Sequence, residues 1–196
     1  MDILEKIFGS ATKARLMRSF VYNPDTVFDI NFLAKKIKAR AGGIKKEINL
    51  LEKAGLIKRR VTKNENGRSV NGATLNQNFK YLEALREFLL KVSPLTDEVL
   101  ARKLSLAGKV RLVIVAGIFI NEENSRLDML IVSDKPDEKK LKKILTEIES
   151  EFAREISYSL MSAEDFKYRL AMGDKLVRDV LDFSHKVVLN KIGLTE

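Results

Sequence analysis

Apolar positions in the first third of the chain recur at helical spacing, and polar breaks separate them into short segments. Over 11–22, Ala14 or Met17 joins Leu16 and Phe20, Ser10 stands where an N-cap belongs, and Asn23-Pro24-Asp25 ends the run. Phe28 falls in a short extended piece. Asp29 or Asn31 is placed to cap a second helix with Leu33, Ala34 and Ile37 facing inward. The spacing of Ile44, Ile48 and Leu51 predicts a third helix over 41–53, closed by Gly55. The run 56–61 then reads as a strand, Asn66-Gly67 as a hairpin turn, and 68–75 as the returning strand. A fourth helix is expected over 79–91, with Leu82, Leu85 or Arg86, Phe88 or Leu89, and Val92 on its apolar side.

Beyond Ser93-Pro94-Leu95-Thr96, the best linker candidate, the pattern changes. Residues 110–116, rich in β-branched side chains, form a run suited to a strand buried on both faces, and 127–132 form a second strand candidate. A helix over 137–152 follows. The next strand is expected over 155–160, where Ile156, Tyr158 and Leu160 alternate. Ser162 is placed to cap another helix, Gly173 interrupts it, and a last helix is expected from 174 toward 190. The predicted fold class is α/β in two domains, 1–92 and 93–196.

Charge divides the chain at the same place. Residues 1–92 hold 19 Lys plus Arg against 9 Asp plus Glu, a balance of +10, whereas the remainder holds 17 against 18. On the helix over 41–53, Lys45, Lys46, Asn49 and Lys53 lie off the apolar stripe, and the strands after it carry Lys58, Arg59, Arg60, Lys63 and Arg68. A basic helix next to a basic hairpin suggests a surface for a polyanion.

Three short helices followed by a hairpin resemble the winged helix-turn-helix domains of transcription regulators. Leu33-Ala34, Ile44, Ile48, Leu51, Ala54-Gly55-Leu56-Ile57 and Asn66-Gly67 carry the resemblance, which covers residues 10 to about 80. It implies that the helix over 41–53 enters the major groove of double-stranded DNA while the hairpin rests beside it. Lys45, Lys46 and Asn49 are then the candidates for base edges, with Lys able to reach guanine and Asn to pair with adenine. Lys53 lies on the same helix face. Lys58, Arg59, Arg60, Lys63 and Arg68 would mostly meet phosphates, although strand alternation sets Arg59 on the face opposite Lys58 and Arg60. A homodimer is expected, since one short helix reads few bases and paired half-sites multiply specificity. Regulators of this type commonly pair through a helix like the one over 79–91.

The second half resembles the minimal nucleotidyltransferases related to polymerase beta, across about residues 98 to 190. In that family a strand leads into Gly-Ser, and the next strand opens with Asp-x-Asp. The corresponding residues here are Val115-Ala116-Gly117-Ile118-Phe119 and Ser125-Arg126-Leu127-Asp128-Met129-Leu130. Nucleotidyl transfer needs clustered carboxylates to hold divalent metal. Arg126 replaces the first acid, Ile118 replaces the serine, Asp128 remains, and Glu155 lies near the place of a third acid. The resemblance therefore implies a scaffold without transfer activity, without metal and without cofactor. Gly117, Ile118, Arg126, Asp128 and Glu155 would outline a degenerate pocket for a nucleotide or small anionic effector, or the domain would serve pairing alone.

The totals narrow the class. Zero cysteines exclude disulfide and thiolate chemistry. Met1-Asp2-Ile3-Leu4-Glu5-Lys6 carries acids where a secretory leader would be basic, and no apolar run approaches the roughly 20 residues of a membrane span. A cytoplasmic, DNA-binding transcriptional regulator is expected. The alternatives are an active nucleotidyltransferase with nonstandard metal ligands and an RNA-binding or antitoxin-like interaction protein.

Overall fold

The computed structural model describes residues 3–39, 41–64, 66–93, 95–122 and 125–193, and it mixes helices and strands in two sheets. The chain clusters into two compact units, one of Met1–Pro94 with Ile148–Arg154, the other of Leu95–Glu147 with Glu155–Glu196. Pro94, in the expected linker, and Met1 and Asp2, in the expected absence of a leader, lie outside the described residues.

The first unit opens with a helix that the periodicity did not predict, α1 (Ile3–Phe8). Only Leu4 of this single turn and a half is buried, too little for a periodic signal. Helix α2 (Ala11–Tyr22) starts where Ser10 accepts a hydrogen bond from the Lys13 N–H at 3.1 Å. After the two-residue strand β1 (Phe28–Asp29), Asp29 caps α3 (Ile30–Lys36) by accepting from Asn31 N–H. Helix α4 (Ala41–Lys53) buries Ile44, Ile48 and Leu51 against α2 and α3. Leu16, Phe20, Leu33 and Ile37 join them in one core.

Strands β2 (Ile57–Lys63) and β3 (Ser69–Leu75) pair antiparallel, and β1 adds to the far edge of β3, giving the order β1-β3-β2. Gly72 sits in the middle strand with Phe28 O and Arg60 O so near that a Cβ would come within 2.8 and 3.1 Å of them. Only glycine admits both neighbours. The hairpin does not turn on Asn66-Gly67 alone. The strands end at the Lys63–Ser69 pair, and the Asn64 side chain accepts from the N–H groups of Asn66 and Arg68, so Asn64 organises a five-residue loop. Helix α5 (Leu82–Lys91) begins three residues later than expected, because Asn76–Phe79 forms a turn closed by the Phe79 N–H to Asn76 O bond. The residues Ile148–Arg154 belong to this unit: Arg15 and Arg18 face Glu151, and the Tyr22 and Phe152 rings meet edge-on at 5.0 Å. Burial there pushes the Tyr22 phenol up to about 12.

In the second unit Thr96 caps α6 (Asp97–Ser105), which leads to β4 (Lys109–Val115). A short 3₁₀ turn, Gly117–Phe119, precedes β5 (Met129–Asp134), and α7 (Glu138–Phe152) follows. The remaining elements are β6 (Tyr158–Met161), α8 (Ala163–Ala171), α9 (Lys175–Asp182) and β7 (Lys186–Asn190). The sheet order is β6-β5-β4-β7, with β5 and β6 parallel and the other pairs antiparallel. Leu112, Ile114, Leu130 and Val132 pack on Phe166, Val177 and Val180, while Val113, Val115, Met129 and Ile131 are buried as well, so both central strands are covered on both faces.

Two expectations fail here. The single helix expected from 174 toward 190 ends at Asp182, and 186–190 pairs with β4 instead. Val187, Val188 and Leu189 suit a strand, and the open edge of β4 supplies hydrogen-bond partners about 75 residues away in sequence. The alternation of Ile156, Tyr158 and Leu160 is also absent from the burial. Ile156 is buried ahead of the strand, Tyr158 is exposed, and Met161 is the buried member of β6.

Candidate functional site

Helix α4 separates its residues by face. With Ile44, Ile48 and Leu51 inward, Lys45, Lys46, Asn49 and Lys53 are all exposed on the opposite side. The two carboxylates of this helix are both matched. Glu47, buried, lies 3.6 Å from Lys13 Nζ, and Glu52 Oε2 accepts from Arg59 Nε at 2.9 Å. The exposed lysines are therefore not cancelled by acids of their own helix.

Strand β2 brings Arg59 next to α4. Lys58, Arg59, Arg60 and Lys63 are exposed, and Arg68 is exposed in the loop at the hairpin tip. Alternation sets Arg59 on its own face, where its side chain meets α4. Its guanidinium donates to both Glu52 Oε2 and Asn49 Oδ1, one turn apart on α4. That grip ties strand to helix, and it was not legible along the chain because Arg59 lies on a different element from Asn49 and Glu52. At the hairpin's other side, Lys35 and Lys36 of α3 and Asn64 and Asn66 of the loop line a polar cavity of about 560 Å³.

Of the five residues expected to outline a pocket in the second unit, the structure brings Gly117, Ile118 and Asp128 together, and places Arg126 and Glu155 apart from them. Asp128 does not open a strand two residues after Arg126; both precede β5 and diverge. The Asp128 side chain is buried, its Oδ1 accepts from Ile118 N–H at 3.0 Å and its Oδ2 from Ser157 N–H at 2.9 Å. Ile118 is itself buried. Gly117, at φ +53°, donates its N–H to Ser125 Oγ, and a Cβ there would lie 2.1 Å from Asp128 Oδ1. The carboxylate thus ties three chain segments together with backbone hydrogen bonds. Arg126 turns to α9, where it pairs with Asp179. Glu155 is exposed in the segment before β6.

A cleft of about 480 Å³ does lie nearby, walled by Ser125, Arg126, Leu127, Asp179 and Phe183, with Glu122 at its edge. Of the five expected residues, Arg126 is the one among its described lining residues. Two acids against one arginine leave its wall without a positive excess. Among the described residues, no group of three His, Asp or Glu side chains is arranged as a metal would need. At the far end of β5, the Arg111 guanidinium and then the Ala163 N–H hold the Asp134 carboxyl below the usual range, another acid engaged by the fold. No helix among the described residues is long and apolar enough to cross a membrane.

Compared with family models, curated proteins and solved structures, the chain gives no match.

Proposed function

We propose that the chain is a sequence-specific, double-stranded-DNA-binding transcriptional regulator, with a winged helix-turn-helix first unit and a nucleotidyltransferase-like second unit used without transfer chemistry. The observation that carries it is the exposed face of α4, with Lys45, Lys46, Asn49 and Lys53, which Arg59 joins to β2, whose Lys58 and Arg60 are exposed on the other strand face. An α-helix fits the major groove, and the hairpin cations are within reach of the flanking phosphates. Selection from a random double-stranded DNA library at two salt concentrations tests the reading. A motif with steep salt dependence supports it; steep dependence without a motif reduces it to general polyanion binding, and preference for structured RNA overturns it in favour of the RNA-binding alternative.

Two copies pair through α5 in this reading. Tyr81, Ala84, Leu85 and Phe88 fall at i, i+3, i+4 and i+7 and line an apolar groove of about 400 Å³, with Tyr81 60% and Phe88 37% exposed. In an antiparallel pairing about a two-fold axis through the middle of that stripe, Tyr81 faces the second copy's Phe88 and Glu83 faces its Arg86. Sedimentation at micromolar concentration is expected to give a dimer that Phe88→Glu converts to monomer.

For the second unit, the reading without catalysis is supported by the engagement of Asp128 with Ile118 and Ser157 and of Arg126 with Asp179. An anionic effector would have to displace Asp179 and approach Glu122. Calorimetric titration of nucleoside triphosphates, with and without Mg²⁺, separates the two remaining roles: heat at millimolar ligand supports a sensor, and its absence leaves a pairing module. Incorporation of labelled nucleotide would overturn both in favour of an enzyme.

A further inference from the structure

We propose that Arg59 is a positioning residue that presents Asn49 to the groove as a hydrogen-bond donor, so that the base read by Asn49 is guanine rather than adenine. The proposal rests on the DNA-binding reading above.

A guanidinium has five N–H donors and no acceptor. Whatever an asparagine offers to Arg59 must therefore be its carbonyl oxygen, and Asn49 Oδ1 is the atom that accepts. The same guanidinium is fixed at its Nε by Glu52 Oε2 at 2.9 Å, so Arg59 is held at two points on α4 rather than swinging from β2. With Oδ1 turned to Arg59, the amide nitrogen is the end left to face away from the clasp. An amide that pairs with adenine uses its oxygen toward N6 and its nitrogen toward N7. An amide whose carbonyl is turned to the guanidinium presents its two N–H groups, which match the adjacent O6 and N7 acceptors of guanine.

Glu52 takes part in the same arrangement. It is the one acid among the outward-facing residues of α4, half-exposed next to Asn49 and Lys53, and an uncompensated carboxylate there would repel phosphate. Arg59 neutralises it while orienting the amide, so one side chain removes a repulsion and sets a preference.

The test uses the full chain and library selection, with Asn49→Ala first identifying the base pair that depends on Asn49. Wild type is expected to select guanine at that position. Arg59→Lys keeps the charge but cannot hold Oδ1 and Oε2 in one planar fork. It is expected to lower the guanine-over-adenine discrimination about tenfold at that base pair alone, with an unchanged salt slope. Arg59→Lys combined with Asn49→Ala should behave as Asn49→Ala alone at that position. Circular dichroism melting of each variant verifies that the unit is folded. Selection of adenine by wild type at the Asn49 position overturns the proposal. So does a profile unmoved by Arg59→Lys, or an Arg59→Gln variant that leaves the preference at that base pair unchanged. Absence of any motif in wild type removes the DNA reading itself. A motif indifferent to Arg59→Lys removes only the clasp.

Discussion

On the α4 face the lysines stand in solvent while both carboxylates of the helix are matched by Lys13 and Arg59. At the corner between β4 and β5 the arrangement is inverted: a carboxylate, Asp128, is buried and both its oxygens accept backbone N–H groups. Charge that is meant for a partner must stay hydrated and uncommitted, because the interaction with a polyanion is gained by releasing its counterions. Charge that holds a fold together must be desolvated and fully hydrogen-bonded, since an unsatisfied buried carboxylate would be costly. Under the proposed DNA-binding function, the two regions therefore differ in what a substitution should damage, recognition in one and stability in the other.

The largest effect is expected at the corner. Gly117→Ala places a Cβ 2.1 Å from Asp128 Oδ1 at a φ of +53°, so the carboxylate must move and the two N–H groups lose their acceptor. Urea unfolding is expected to show a loss of about 4 kcal/mol. A loss below about 1 kcal/mol would mean that the corner is not structural, and the comparison would break there. Next comes recognition: Asn49→Ala is expected to cost up to about 3 kcal/mol at one base pair while leaving unfolding unchanged, and Arg60→Ala to weaken all sequences alike and lower the salt slope by about 1. Competition binding against the selected and scrambled duplexes reads both, and identical profiles for the two variants would remove the division between base and phosphate contacts.

A partly buried titratable group in the first unit sharpens the contrast further. The Tyr22 phenol is raised from 10.0 to about 12 by burial, so the fold favours its neutral form. Its contribution is complete below about pH 10, where an unfolded tyrosine is still protonated, and is lost as pH rises to about 12. Comparing urea midpoints of wild type and Tyr22→Phe across that window should reveal a difference of about 2 kcal/mol that is absent at pH 8. The smallest effect is expected for Arg126→Ala. Its pair with Asp179 is half in solvent, at 49% exposure for the arginine side chain, and its removal should change stability by less than about 1 kcal/mol. A larger loss would make Arg126 a fold residue like Asp128.

The first unit's elements were legible for local reasons. Ser10 and Asp29 cap within three residues of their own positions, and the stripe of Ile44, Ile48 and Leu51 repeats every turn, so each signal is contained in a short window. The exposure of Lys45, Lys46, Asn49 and Lys53 follows from the same periodicity. What was illegible depends on partners far along the chain or on another element. The strand β7 is chosen by the free edge of β4, and β6 by its parallel register with β5 rather than by the alternation of Ile156, Tyr158 and Leu160.

The sequence by itself determined the capped helices, the hairpin and the cationic face of α4, because helix periodicity, capping and residue identity act over one or two turns. Only the tertiary structure decided that Asp128 ties Ile118 to Ser157, that Arg126 turns to Asp179, and that Arg59 grips Asn49 and Glu52. A charged side chain is several bonds long and takes whichever partner the packed backbone brings within hydrogen-bond distance. No count of charges along the chain distinguishes a carboxylate spent on the backbone from a lysine left to solvent.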